Sequence, residues 1–346
     1  MPKSNAAIVS KARAMYGKRL TPSDWDNLLN CANVTEAAAY LKSNTEYGTV
    51  LGELRDNEVH RGELEALLRA KIVRDTARLG HYDMSMGKGV GRFLIGWMEV
   101  QVILHNVIRV EAHQAPNIRS SSNFLAETSR LDIRALEMAE AFDQVLEALE
   151  GSVYHKLVLP FRPTDGAFKD FTGLENALYT YLYGLLYDII EHNSTRTARQ
   201  QLHQLVDSYV DLENYARILR LKAYYHARES QTRACLLPFG SIPKDKISEM
   251  IAADTPKQVT AIMEQTRIGK RTLHLPYDTP DTLESLVRYR DAHKNIFFSS
   301  ESSVVMLSYV FLMETELQGL IHLIEGLRYQ VPKTEIKRLL SPYHFV

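Results

Sequence analysis

The sequence predicts an all-helical protein built from three degenerate copies of one unit. Two observations carry this reading. Apolar residues recur at helical spacing over long stretches, and two separate markers repeat at nearly the same interval along the 346 residues. Strand signals are weak: Asp165-Gly166 beside Pro163 is a turn, but no Asn-Gly or Asp-Gly pair joins two alternating apolar runs.

Taken in order, the elements begin at Thr21-Pro22-Ser23-Asp24, which offers a cap and a proline for the first turn of a helix over 25–32. Phe93–Ile108 and Val304–Ile324 are the most apolar stretches. Glu99, Gln101 and His105 interrupt the first; Glu314, Glu316, Gln318 and His322 interrupt the second. Neither offers the roughly 20 uninterrupted apolar residues that a bilayer span needs, so both read as long buried helices. Gly87-Lys-Gly-Val-Gly91 lacks a preceding strand and the dinucleotide-binding spacing, and is expected to be a flexible turn between helices. Over 198–227, Leu202, Leu205, Tyr209, Leu212, Ala216, Leu219 and Ala223 form one helical stripe that no glycine or proline breaks. Pro160/Pro163, Pro238/Pro243 and Pro276/Pro280 mark loops, because proline lacks the amide a helix interior uses.

The first marker is a segment that aligns three times without gaps: Glu36–Tyr47, Asp143–Tyr154 and Lys257–Ile268. Each ends in a hydroxyl residue (Thr45, Ser152, Thr266), one further residue, and a large anchor (Tyr47, Tyr154, Ile268). The copies lie 107 and 114 residues apart. The second marker is a polar ladder. Glu99 precedes Asn106 by seven and Arg109 by ten, and Asp207 stands in the same relation to Asn214 and Arg217, 108 residues on. In the third copy Glu316-Leu-Gln-Gly319 corresponds to Asp211-Leu-Glu-Asn214, so the ladder there is eroded. Acid, Asn and Arg at this spacing share one helix stripe, and Asn and Arg three apart are direct neighbours. Such ladders either bond neighbouring helices, satisfying buried polar groups, or face a partner. The repeat divides the chain into lobes over 1–115, 116–235 and 236–346.

Charge argues against nucleic acid as a partner: 41 basic and 42 acidic side chains leave no surplus for phosphate. The charge is uneven, however. Lys3, Lys11, Arg13, Lys18 and Arg19 open the chain with no acid among them, and 127–150 carries seven acids against Arg130 and Arg134. Solvated helix faces or docking patches fit both. Cys31 and Cys235 are too few and too isolated for a disulfide framework, which fits a reducing, cytoplasmic compartment. No signal peptide is read at the start.

A search for chemistry finds none. No His-Glu-x-x-His pattern occurs, and no Glu is followed by His three residues on. Gly269-Lys-Arg-Thr272 lacks the earlier glycine and the Lys-Ser/Thr pair of a phosphate loop. No Gly-x-Ser-x-Gly elbow or activated cysteine context appears. No catalytic residue, metal ligand or cofactor site is therefore assigned. Tyr179, Tyr181, Tyr183 and Tyr187 suit helix packing or an interface, having an apolar body and a polar tip.

Several segments together resemble a family. Lys11-Ala-Arg-Ala-Met-Tyr-Gly17, Leu41 with Thr45-x-Tyr47, and Glu99 with Asn106-x-x-Arg109 resemble its first unit. Asp207 with Asp211-x-x-Asn214-x-x-Arg217-x-x-Arg220 resembles its second, and Leu236-Leu-Pro-Phe-Gly240-Ser-Ile with Glu314-x-Glu316 and Gly326-Leu-Arg328 its third. The family is the C/d subunit of V-type and A-type rotary ATPases, and the resemblance spans essentially the whole chain. The sequence departs at Gly319, where the family often has Asn, and at Ile268, where it often has Tyr.

The resemblance implies three pseudo-threefold-related helical lobes forming a funnel-shaped socket on the cytoplasmic face of the membrane. It implies a non-catalytic central-rotor subunit, monomeric in isolation and present once per complex. Such a subunit joins the central-shaft subunits to the membrane proteolipid ring and carries torque between ATP chemistry and proton or sodium transport. The ladder residues Glu99, Asn106, Arg109, Asp207, Asp211, Asn214, Arg217, Arg220, Glu314, Glu316 and Arg328 are then candidate structural or interface groups. The alternative reading is an unrelated helical repeat scaffold that binds peptides or signalling proteins.

Overall fold

A computed structural model describes residues 2–52, 61–80, 86–116, 123–164, 168 and 170–340. Among these residues every regular element is helical. The chain opens with α1 (Pro2–Tyr16), α2 (Pro22–Asn30), α3 (Val34–Asn44), α4 (Gly48–Leu51), α5 (Arg61–Gly80) and the long α6 (Met86–Glu111). Four short helices follow: α7 (Asn123–Thr128), α8 (Ile133–Met138), α9 (Phe142–Ala148) and α10 (Val153–Val158). Next come α11 (Phe171–Asn193) and α12 (Arg196–Arg220), which runs into a π turn over Leu221–Tyr225. The remainder is α13 (Glu229–Ala234), α14 (Lys244–Ala252), α15 (Pro256–Gln265), α16 (Arg267–Thr272), α17 (Pro280–Phe298), α18 (Ser302–Arg328) and α19 (Lys333–Leu340).

Local chemistry explains the boundaries. Thr21 caps α2 in a reciprocal capping box with Asp24, and Thr255 caps α15 in the same way with Gln258. Pro22 and Pro256 fill first-turn positions whose amides need no helical partner. Two expectations change. Gly87–Gly91 lies within the opening turns of α6 rather than in a loop between helices. Glycine costs about 1 kcal/mol relative to alanine in a helix, but Val90 and Phe93 are buried and packing decides the matter. The stripe read over 198–227 is helical only to Tyr225, because His226 turns left-handed at φ 46°. The Asp165-Gly166 turn lies outside the described residues.

The chain divides into two compact units: 1–169 with 293–346, and 170–292. In the first, α18 is buried almost all round and packs against α1, α3, α5 and α6. Gly326 lets Ile336 of α19 lie directly on its backbone, where any Cβ would collide. Arg13 donates to the carbonyls of Ile296, Phe297 and Ser299, satisfying acceptors that the end of α17 leaves open. In the second unit, Leu212, Tyr215 and Ile218 of α12 form a core with Met250, Ile251, Val259, Met263, Ile268, Leu283 and Val287. Two helical stretches, Lys88–Glu111 and Ser302–Arg328, are long and apolar enough to cross a membrane by length and composition. Their most apolar windows are 61% and 89% buried inside the protein, as core helices are.

Candidate functional site: carboxylate joints on the long helices

The three marker segments share one local build. Each forms a helix (α3, α9, α15) followed by its hydroxyl residue. The hydroxyl donates backwards: Thr45 to Leu41 O, Ser152 to Leu149 O and Thr266 to Met263 O, at 2.6, 2.6 and 2.7 Å. It also accepts a forward amide, from Tyr47, His155 or Gly269. One small side chain thus closes one helix and opens the next turn. Gly48 and Gly269 follow the anchors of the first and third copies, where a Cβ would meet the carbonyls of Lys42 and Met263. The second copy has His155 there.

On α6, the Glu99 carboxylate accepts the Ser129 hydroxyl at 2.5 Å and the Tyr154 hydroxyl at 2.8 Å. Ser129 Oγ in turn accepts the Leu131 amide. Asn106 donates to Val102 O and accepts Arg109 Nε at 3.1 Å. Arg109 is 4% exposed and donates onward to the carbonyls of Gln114 and Ala139. The predicted neighbours Asn106 and Arg109 therefore do meet.

On α18, Glu316 accepts the Tyr47 hydroxyl at 2.8 Å and the Leu20 amide at 3.0 Å. Burial pushes its carboxyl above the usual range, and hydrogen bonds from Tyr47 and Leu20 work against that rise. Burial also raises Tyr47, reinforced by the adjacent Glu316. Beside this pair, Lys71 of α5 bonds Asp75 at 2.6 Å, and Asp75 accepts the Tyr309 hydroxyl. Glu314 is half-buried, and Arg328 is exposed with its guanidinium over the Tyr329 ring.

On α12, the Tyr187 hydroxyl donates to Asp207 at 2.5 Å. Asp211 takes the Ser241 amide and hydroxyl and the Ile242 amide. Burial carries Asp211 up to about 6 despite those donors. Gly240, at φ 107°, passes so close to Asp211 that a Cβ would strike its Oδ1. Asn214 exchanges both amide bonds with Leu237, each at 2.9 Å. Arg217 pairs with Glu213 at 2.7 Å and donates to Asn176 Oδ1 and Cys235 O. Arg220 bonds Asp281 at the surface. Arg217 and Asn214 are not bonded to each other as Arg109 and Asn106 are; each holds a different part of the segment after α13.

Two parts of these joints go beyond the repeated markers. Tyr47 and Tyr154 act through their hydroxyls as well as their rings, a role their residue type allows. Leu20, Leu131 and Ile242 each open a joint, are spaced 111 residues apart, and are buried. That period is legible, but apolar residues are too common in helical sequences for it to stand out. Among the described residues, the Lys71–Asp75–Tyr309 cluster has no repeated counterpart, so no period signals it. Among the described residues, no group of three or more His, Cys, Asp or Glu is placed to hold a metal ion.

Acids capped by donors from other segments define a class of protein: a helical body in which Glu99, Asp207, Asp211 and Glu316 on the long helices each bond another segment of the same chain. The chain belongs to the ATP synthase (C/AC39) subunit family, whose profile matches residues 8–339. It is 25% identical to the A-type ATP synthase C subunit of Pyrococcus furiosus, over 96% of this chain and 89% of that one. It is 23% identical to the corresponding A-type ATP synthase protein of Methanosphaera stadtmanae, over 96% and 86%.

Proposed function

We propose that this chain is a non-catalytic rotor part of a V/A-type ATPase, joining central-shaft subunits to the membrane proteolipid ring and passing torque between them. It sits on the cytoplasmic face of the membrane, one copy per complex, and is a monomer alone. Membership of the ATP synthase (C/AC39) subunit family is the observation that carries this reading. The joints support it physically. A torque coupler must not creep under load, and buried, hydrogen-bonded carboxylates specify one packing more sharply than apolar contact alone.

The proposed architecture is three lobes, 1–115, 116–235 and 236–346, around one axis as a funnel. What supports it is the order of the joints. The second copy's Tyr154 bonds the first copy's Glu99, the third copy's Ser241 bonds the second copy's Asp211, and the first copy's Tyr47 bonds the third copy's Glu316. Each copy grips the long helix of the preceding one, and the last grip returns to the start of the chain. On this reading the ladder residues are structural.

The test is removal. Complexes assembled without the chain should keep ATP hydrolysis in the soluble head yet lose ATP-driven ion pumping, and adding the purified chain back should restore it. Pumping that persists at the normal rate without the chain would sink the proposal.

A further inference from the structure

The three long helices end alike. His113 follows α6, His226 follows the π turn of α12, and Gln330 follows α18, at φ 51°, 46° and 54°. Among the described residues these are the non-glycine positions with positive φ, a conformation that costs an L-residue energy. Each end also leaves a large apolar side chain in solvent: Ile108 at α6, Tyr224 and Tyr225 (78% and 70% exposed) at α12, and Tyr329 (66%) at α18. Isolated exposed apolar residues are ordinary, but an exposed tyrosine directly before the left-handed residue recurs in the second and third copies, whereas Ile108 lies five residues before His113 in the first.

The ends differ in charge. Around the tyrosines after α12 lie Lys222, Arg228 and Arg233 against Glu229 alone, with Arg220 already paired to Asp281. Beside Tyr329 lie Arg328, Lys333, Lys337 and Arg338; Lys337 is 3.9 Å from Asp26 and Arg338 is 3.2 Å from Glu335, so Arg328 and Lys333 carry the excess. The α6 end has no such excess, because Arg109 is buried in its joint and Glu111 stands beside it. Exposed tyrosines with polar tips, set among cations, match the chemistry of an anionic headgroup layer. The ring enters the interface, the hydroxyl stays wet, and the cations meet phosphate.

We propose that the helix ends at Tyr224–Tyr225 and at Tyr329 are contact surfaces for anionic lipid headgroups, and that the Ile108 end is not. This rests on the proposed membrane-side location, but it is tested without the rotary complex. The purified chain is floated with phosphatidylcholine vesicles, with or without phosphatidylglycerol, at low and high salt. Each cation near an anionic surface is worth about fivefold in partitioning, so the anionic lipid should raise binding at least about tenfold, and salt should abolish the gain. Tyr224→Ser with Tyr225→Ser, and separately Tyr329→Ser, should each lower binding several-fold. Lys222→Gln with Arg228→Gln should reduce the response to phosphatidylglycerol, and Ile108→Ser should change nothing.

Lys222 is half-buried and the other positions are exposed, and thermal melts establish that each variant stays folded. Equal binding to neutral and anionic vesicles overturns the proposal, as does anionic binding that the tyrosine changes leave intact. So does a chain that ignores vesicles while its tyrosine variants lose affinity for the detergent-purified proteolipid ring, which would assign these ends to a protein partner. Failure to bind the ring with vesicle binding intact would instead count against the proposed coupling role alone.

Discussion

The joints of the first unit and that of the second solve one problem with different atoms. On α6 and α18 a glutamate is capped by an anchor tyrosine, Tyr154 or Tyr47. On α12 the anchor that follows Thr266 is Ile268, which has no donor and packs into the core beside Val259 and Met263. There Asp207 takes Tyr187 from the neighbouring α11, and Asp211 takes the backbone and hydroxyl of a tight turn at Ser241. A buried carboxylate loses several kcal/mol of hydration, so the need for donors is imposed by physics. Which residue provides them is not, and this is why the repeat can drift in sequence while keeping its construction.

The largest expected effect compares the two ladder arginines. Arg109→Ala leaves the buried carbonyl of Ala139, the part-buried carbonyl of Gln114 and the Asn106 side chain without their donor, and should cost about 3 kcal/mol. Arg217 is half-buried and bonds a carboxylate that water can partly reach, so Arg217→Ala should cost about 1–2 kcal/mol. Denaturant melts of both variants check the order. If Arg217→Ala instead leaves stability unchanged and weakens shaft binding, that residue belongs to an interface.

Next is the turn unique to the second unit's joint. Gly240→Ala forces a side chain into a left-handed backbone and against Asp211, and should cost about 2–3 kcal/mol. Gly151 also has positive φ, at 74°, but has open space around it. Gly151→Ala should cost less, about 1 kcal/mol, and equal losses would show that crowding at Asp211 is unimportant.

The second unit should also respond to pH. Burial lifts Glu284 to about 7, countered by Arg288, and its Oε1 has no hydrogen-bond partner. Because the folded value lies above the ordinary one, the folded state binds the proton more tightly. The resulting stabilisation is complete below the ordinary carboxylate range and is lost as pH rises through about 7. Asp211 contributes in the same direction, its loss being complete once pH has risen through about 6. Melting temperature should therefore fall between pH 5 and 8, by the equivalent of about 1–2 kcal/mol, and Glu284→Gln should flatten the profile. A melting temperature that rises over this interval in the wild type, or a Gln variant with the same slope, would contradict it.

The smallest effects test the anchor comparison itself. Tyr47→Phe and Tyr154→Phe each remove one donor from a buried glutamate and should cost about 1–2 kcal/mol. The reciprocal change, Ile268→Tyr, should bring no gain, because Asp207 and Asp211 already have donors and the site beside Val259 is packed. Stabilisation by that tyrosine would mean the joint on α12 is underfilled.

The helical class, the cap at Thr21, the hydroxyl pivots and the spacing of acid, Asn and Arg are all legible in the sequence. They depend on neighbours within about one to three helical turns, and local geometry fixes those. The glycine run at 87–91 is helical against its local signal, because packing around Val90 and Phe93 overrides glycine's weak helix preference. What only the tertiary structure decided is which donor reaches which acid. Tyr47 lies 269 residues from Glu316, and Asn176 lies 41 from Arg217; no periodicity links positions brought together by chain folding. The sequence determined that buried acids would need partners, since desolvation demands it. The fold alone selected them, because hydrogen bonds form only where packing brings donor and acceptor within about 3 Å.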